Sequence, residues 1–163
     1  MSIATGLLGE FDMEMASTRR MLERLPEDKL EWKPDPKSMS MGRLAAHVAE
    51  MPGWGALTMN SDELDFSKGE YKPGVASSRA EALKILEESA GAARAAIEKA
   101  SDADFMKPWT LRSGDQVFFT LPGSKTIVVS TASLSFSSGQ VRTIMALDGP
   151  SGGVTTSVLS DLN

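Results

Sequence analysis

One histidine and no cysteine stand among the 163 residues, which narrows the chemistry before any fold is considered. Thiolate zinc sites, iron–sulfur clusters, disulfide frameworks and cysteine nucleophiles are excluded. So is any site that needs two imidazoles from one chain. The histidine, His47, lies in the run Leu44-Ala45-Ala46-His47-Val48-Ala49-Glu50. Glu50 follows three residues later, so on a helix the imidazole and the carboxylate share a face. The pair reads either as a hydrogen-bonded couple or as a weak two-ligand metal site, and spacing alone favours a partly buried histidine with one hydrogen-bond partner between helices. Catalysis by a serine has little to work with, because His47 is the only imidazole available as its base. Gly152-Gly153 lacks the spacing and the lysine of a phosphate loop. Trp32, Trp54 and Trp109 either anchor loops and helix ends or line a pocket for a small apolar ligand.

The elements that position His47 follow from hydrophobic periodicity. Leu7, Leu8, Phe11, Met15, Thr18, Leu22 and Leu25 recur at three- and four-residue steps, the apolar stripe of a first helix that Pro26 ends. Residues 26–38 form an extended connector with three prolines and Trp32. Ser38 or Ser40 caps a second helix carrying Met41, Leu44, Ala45, Val48 and Met51. Pro52-Gly53 interrupts that helix before Trp54-Gly55-Ala56-Leu57 continues it at an angle. Residues 60–76 read as an acidic loop. Ser78-Arg79-Ala80-Glu81 matches a capping box. The helix it opens carries Leu83, Leu86, Ala90, Ala93 and Ile97, with many alanines that allow close packing. Of the ten methionines, Met15, Met41 and Met51 fall on apolar faces and read as core filling.

Composition changes after about Leu121. Residues 1–109 carry 14 basic and 19 acidic side chains, residues 110–163 carry three of each, and the last forty residues hold fourteen Ser or Thr. Residues 116–121 and 126–131, joined by Pro122-Gly123-Ser124-Lys125, read as a hairpin by β-propensity and turn chemistry. Ile127, Thr131, Leu134, Ser138, Val141 and Met145 also make a helical stripe, and three amphipathic helices want a fourth to close their core. The expectation is an all-α four-helix bundle in one domain over 1–163. Its fourth helix falls at about 125–147, with an irregular or partly β segment around 116–131. The alternative is a last third foreign to the bundle, which a partner chain or a different local fold then completes.

The net charge of −5 and a pI near 4.9 repel phosphate backbones, so nucleic acid is not an expected partner. No apolar run reaches the roughly 18–20 residues of a membrane helix, and residues 1–10 do not read as a secretory leader. A cytoplasmic location is expected.

Three stretches carry a resemblance. The first runs from Glu10-Phe11-Asp12-Met13-Glu14-Met15 through Thr18-Arg19-Arg20-Met21-Leu22-Glu23-Arg24-Leu25-Pro26. The second is Trp32-Lys33-Pro34 with Met41-Gly42-Arg43-Leu44-Ala45-Ala46-His47-Val48-Ala49-Glu50-Met51-Pro52-Gly53-Trp54. The third joins Lys107-Pro108-Trp109-Thr110-Leu111 to Gln116-Val117-Phe118-Phe119. Together they resemble the DinB-like family of damage-inducible and thiol-transferase-related bundles, closely over residues 1–121 and weakly over 122–163. The resemblance implies an up-down-down-up four-helix bundle, a homodimer, and a divalent metal, nickel or zinc, held by three histidines. It also implies kinship with transferases and isomerases that use low-molecular-weight thiols. His47 matches the second-helix histidine of that pattern. Gly139-Gln140-Val141 matches the end of the fourth-helix motif, which sets Ser133 and Ser137 at the other two histidine positions and Ser138 at an arginine. Neutral serine hydroxyls are poor ligands for nickel or zinc. Two functions follow from this: a metal-assisted, thiol-dependent transferase with an incomplete three-histidine site, or a non-catalytic, stress-associated dimeric bundle that binds a small ligand where a metal site has decayed.

Overall fold

Helix α1 (Ile3–Leu22) starts where the Ser2 hydroxyl accepts the N–H of Thr5, and its stripe buries Ala4, Phe11, Thr18 and Leu22. In the computed structural model, residues 2–69, 72 and 74–123 are described, together with the backbone of 144–147 and 154–157. Ser40 caps α2 (Met41–Glu50), accepting the N–H of Arg43, and α3 (Gly53–Asn60) follows the Pro52 break as expected. The longest helix, α4 (Arg79–Lys99), packs against α1, α2 and α3. Its buried positions are Ala82, Leu86, Ala93 and Ile97, and the small ones let neighbouring backbones come close. The Ser89 hydroxyl, for example, donates directly to the carbonyl of Ala49 on α2.

Two cores result. One joins Leu22, Leu25 and Leu30 to Ala46, Ala49, Ala76 and Leu86; the other joins Phe11 to Ala93, Ile97 and Phe105. Met15 fills against both and Met41 against the first, while Met13 and Met106 face solvent. Asp12 and Arg94 form a forked ion pair between α1 and α4, at 3.0 and 3.2 Å, on the exposed rim, where such pairs add little.

The helix starts differ from expectation in one detail. Ser78 does accept the N–H of Glu81, but the Glu81 carboxylate turns to the N–H and hydroxyl of Ser77 instead of closing the box on Ser78. A reciprocal box forms at Ser101 and Asp104, opening the short α5 (Asp102–Phe105). There the Lys107 ammonium, with the hydroxyl and N–H of Ser101, holds the Asp104 carboxyl well below the usual carboxylate range.

The chain is mostly helical but not all-α. Strands β1 (Glu63–Asp65), β2 (Pro108–Ser113) and β3 (Gln116–Pro122) make a sheet in that order, β1 parallel and β3 antiparallel to β2. Trp109 and Leu111 alternate into a third core with Leu64, against Trp54 and Leu57 of α3. β1 lies inside the stretch that reads as loop. Three residues are too few to show a period, and they are strand only because β2 arrives to pair with them.

The expected strand at 116–121 is present and pairs with β2. It folds back on β2 through Gly114-Asp115, where Gly114 has φ of +57°, a left-handed conformation that favours glycine. The other half of the expected hairpin, 126–131, lies outside the described residues. The expected fourth helix over 125–147 is corrected at its end: Ile144–Leu147 is strand β4, antiparallel to β5 (Val154–Ser157). Ile144, Val154, Thr155 and Thr156 are β-branched and lose side-chain freedom in a helix, which favours the strand. Residues 125–143 lie outside the described residues. Among the described residues no helix is long and apolar enough to cross a membrane.

Candidate functional site

His47 sits on α2 and is buried, with 6% of its surface exposed. Two backbone segments embrace the start of this helix. The first two N–H groups of α2 have no partner within the helix, and carbonyls of the connector accept them: Met41 N–H donates to Trp32 at 3.0 Å and Gly42 N–H to Leu30 at 2.8 Å. From the other side, Ala76 N–H donates to the Gly42 carbonyl at 3.1 Å. A β-carbon at Gly42 would stand 2.6 Å from the Ala76 carbonyl oxygen and 3.3 Å from that of Leu30. Only glycine leaves room for both segments to cross the helix there.

Farther along α2, the Glu50 carboxylate accepts the N–H of Gly74 at 3.0 Å and pairs with the Arg43 guanidinium at 3.8 Å. Both side chains are largely buried. Residues 74–76 are thus strapped along α2 at two points, Glu50 and Gly42. At 100° per residue, His47 lies about 60° round the helix from Glu50. The structure does bring His47 and Glu50 onto one face, as their spacing predicts. Ser133, Ser137 and Ser138 lie outside the described residues.

The residues were tested against the divalent metal that the resemblance implies. Among the described residues, no three His, Asp or Glu side chains converge. In the whole chain His47 is the only imidazole and there is no thiol. Its neighbouring carboxylate is taken up by a backbone N–H and an arginine. One imidazole beside an engaged carboxylate does not make a nickel or zinc site.

The tryptophans are not gathered into one pocket. Trp109 is buried and its ring N–H donates to the Ser61 hydroxyl at 3.2 Å, the anchoring role. Trp54 packs into the same core from α3. Trp32 is half exposed and lines an open hollow of about 740 Å³ with Pro26, Leu30, Met41 and Ser77, rimmed by Glu27 and other charged residues of the connector. The hollow lies beside the crossing at Gly42.

A second polar cluster has no counterpart among the sequence expectations. Asp65, 6% exposed, accepts the N–H of Gly114 at 2.9 Å, the hydroxyl of Ser67 at 2.7 Å and the N–H of Ser67 at 3.0 Å, with Arg112 at 3.7 Å. The Gly114 N–H foremost, then the Ser67 hydroxyl, hold its carboxyl down to about 2 from an ordinary 3.8, against the opposing effect of burial. The cluster ties β1 to the β2–β3 turn. Asp65 spaced two residues before Ser67, and the glycine turn at 114, were its only traces in sequence. Because the folded state holds this proton more weakly than the unfolded chain, its contribution to stability is complete above about pH 4 and is lost as the pH falls towards 2. Acid unfolding followed by circular dichroism should therefore be shallower in Asp65→Asn over that window. Equal slopes would remove Asp65 as a source of the acid sensitivity.

A helical layer built on α4, with a small mixed sheet closing one end and a lone buried histidine on the second helical segment, defines a class of fold. Residues 10–125 match the model of the DinB superfamily, and the chain belongs to that family. Two solved structures are similar. One is the mycothiol-dependent maleylpyruvate isomerase, at 15% identity and a TM-score of 0.54 over 81% of this chain and 59% of that one. The other is a variant of that enzyme with a histidine replaced by alanine, at 14% identity and a TM-score of 0.53 over 80% and 59%. At such identity the likeness shows the fold, and this chain spans about three fifths of those enzymes' length. No curated protein matches the chain.

Proposed function

We propose that this DinB-superfamily protein is related to thiol-dependent S-transferases and keeps His47 as the remaining strong donor of an incomplete three-histidine site for nickel or zinc. The observation that carries the reading is the buried imidazole on α2 at the position matching the second-helix histidine of the family. With serine at 133 and 137, the reading makes metal binding weak and derives no reaction step from it. The up-down-down-up bundle belongs to the same proposal, with α1, α2 followed by α3, and α4 as three of its members. So do a homodimeric assembly and a cytoplasmic location. A low-molecular-weight thiol is the ligand class supported by the family resemblance and by the mycothiol dependence of the structural neighbour.

A second reading, a non-catalytic and stress-associated dimer that binds a small ligand where a metal site has decayed, is favoured by the serines at 133 and 137. Elemental mass spectrometry of the purified protein beside His47→Ala separates the two. Metal in the unaltered chain that disappears with His47 supports the first. Equal metal content in both, or none in either, sinks the metal station and leaves the ligand-binding bundle.

A further inference from the structure

We infer that the hollow at Trp32 is a binding site for a small organic cation, an ammonium group carried on an apolar body. The site is independent of any role of His47, which is not among the residues that line it. Its volume of about 740 Å³ falls within the range of small-molecule pockets. Pro26, Leu30, Trp32 and Met41 supply an apolar lining, and Trp32 keeps 46% of its surface exposed. An apolar group gains by covering such a ring, and a cation is drawn to its electron-rich face.

The walls are set before a ligand arrives. Lys29 N–H donates to the Pro26 carbonyl at 3.1 Å and Trp32 N–H to the Lys29 carbonyl at 3.0 Å. The start of α2 holds the next two carbonyls, Leu30 accepting from Gly42 and Trp32 accepting from Met41. Little ordering of the backbone is left for the ligand to impose, which preserves affinity.

Charge selects the occupant. The rim sets the carboxylates of Glu27, Asp28 and Glu31 against the one ammonium of Lys29. Asp28 and Glu31 are exposed and lie outside the ion pairs made among the described residues. Glu27 is partly engaged, accepting the Arg79 N–H at 3.0 Å. The neighbouring donors are spent as well: Arg79 Nε–H goes to the Leu25 carbonyl at 3.0 Å and the Ser77 hydroxyl to Glu81 at 2.6 Å. Ser77 is left with lone pairs to offer a ligand. An anion would meet three carboxylates here, and a neutral molecule would gain only the apolar lining. A cation gains from the lining, the rim and the indole together.

The test compares three probes that share an aromatic body: phenethylammonium, neutral 2-phenylethanol and anionic 3-phenylpropanoate. Binding is followed by the amide resonances of residues 27–32 and Ser77 in isotope-labelled protein. Phenethylammonium should saturate these shifts at about millimolar concentration, as suits a probe of its size. The alcohol should bind at least about two- to fivefold more weakly, the worth of an exposed cation–π contact, and the propanoate should not bind. Asp28→Asn combined with Glu31→Gln, both at exposed positions, should weaken the ammonium and reduce its dependence on salt. Trp32→Phe should weaken it less than Trp32→Ala, and His47→Ala should leave it unchanged. Equal affinity for ammonium and alcohol, preference for the propanoate, or no shift with any probe would overturn the assignment. So would ammonium binding that is indifferent to Trp32→Ala or to the paired carboxylate change, or that is lost with His47.

Discussion

Gly42→Ala should destabilise the fold by about 2–3 kcal/mol, the cost typical of forcing extra volume into a packed contact. The new β-carbon would meet the Ala76 carbonyl oxygen at 2.6 Å, the Leu30 carbonyl oxygen at 3.3 Å and the Leu30 β-carbon at 3.5 Å. Two of the three are backbone atoms, and neither segment is free to retreat. The 30–32 connector receives the first two N–H groups of α2, and the Ala76 amide donates into the helix from the other side. Moving either one apart breaks a hydrogen bond that nothing else replaces. Alanine gains about 1 kcal/mol over glycine inside a helix, so the net loss measures the crossing after that gain is subtracted. Gly9→Ala is the control, since Gly9 lies within α1 with nothing inside 4 Å of its would-be β-carbon. Chemical denaturation should show Gly9→Ala more stable and Gly42→Ala less stable than the unaltered chain. If both shift upward together, the crossing does not constrain position 42.

The helical part of the fold was legible because its signals are local. The stripe from Leu7 to Leu25, the Ser40 and Ser78 caps and the Pro52 break are each set by residues a turn apart, and α1 to α4 form there, though α1 ends at Leu22, short of Leu25 and Pro26. The sheet was not legible for the opposite reason. β1 has three residues and becomes a strand only through pairing with β2, more than forty positions later. The strand at 116–121 was legible, but its pairing with β2 was not. Gly114-Asp115 makes the turn between β2 and β3, and its left-handed glycine gives Arg112 and Asp65 their partners.

The site divides along the same line. That His47 and Glu50 share a face follows from a three-residue spacing and needs no tertiary knowledge. What Glu50 does on that face depends on Gly74, whose approach is fixed by the strap and by the absence of a side chain at position 42. The functional glycines at 42 and 74 read in sequence as a small helix residue and a loop residue. Only the crossing of three backbone segments shows why position 42 has no room for a β-carbon, while at 74 a β-carbon would meet the end of the Glu50 side chain. The charged cluster at Asp65 is similar: strand pairing brings 112 and 114 to 65 and 67, and no spacing rule connects the two halves.

Trp109→Ala should cost about 3–5 kcal/mol, the range for truncating a large buried aromatic, and is the most damaging single change expected in the sheet. Trp109 is 1% exposed and stands between Leu64 and Leu111 of the sheet and Trp54 and Leu57 of α3. Its ring lies 6.3 Å from that of Phe119 on β3. Its N–H donates to the Ser61 hydroxyl, which in turn donates to the Leu57 carbonyl at 2.7 Å. The indole therefore joins the end of α3 to both β2 and β3, so its loss leaves a cavity and also uncouples the sheet from the helices. Trp109→Phe keeps most of the volume and loses the hydrogen bond, worth about 1 kcal/mol, together with part of the ring, so its cost should fall well below that of Trp109→Ala. Trp32→Ala sets the scale at the other end. Trp32 is half exposed, so its removal should cost far less than that of Trp109. Urea denaturation of the three variants gives the ordering directly. A Trp109→Ala variant no less stable than Trp32→Ala would mean that the sheet is not anchored through this ring. The expected ordering makes Trp109 the structural anchor of the sheet.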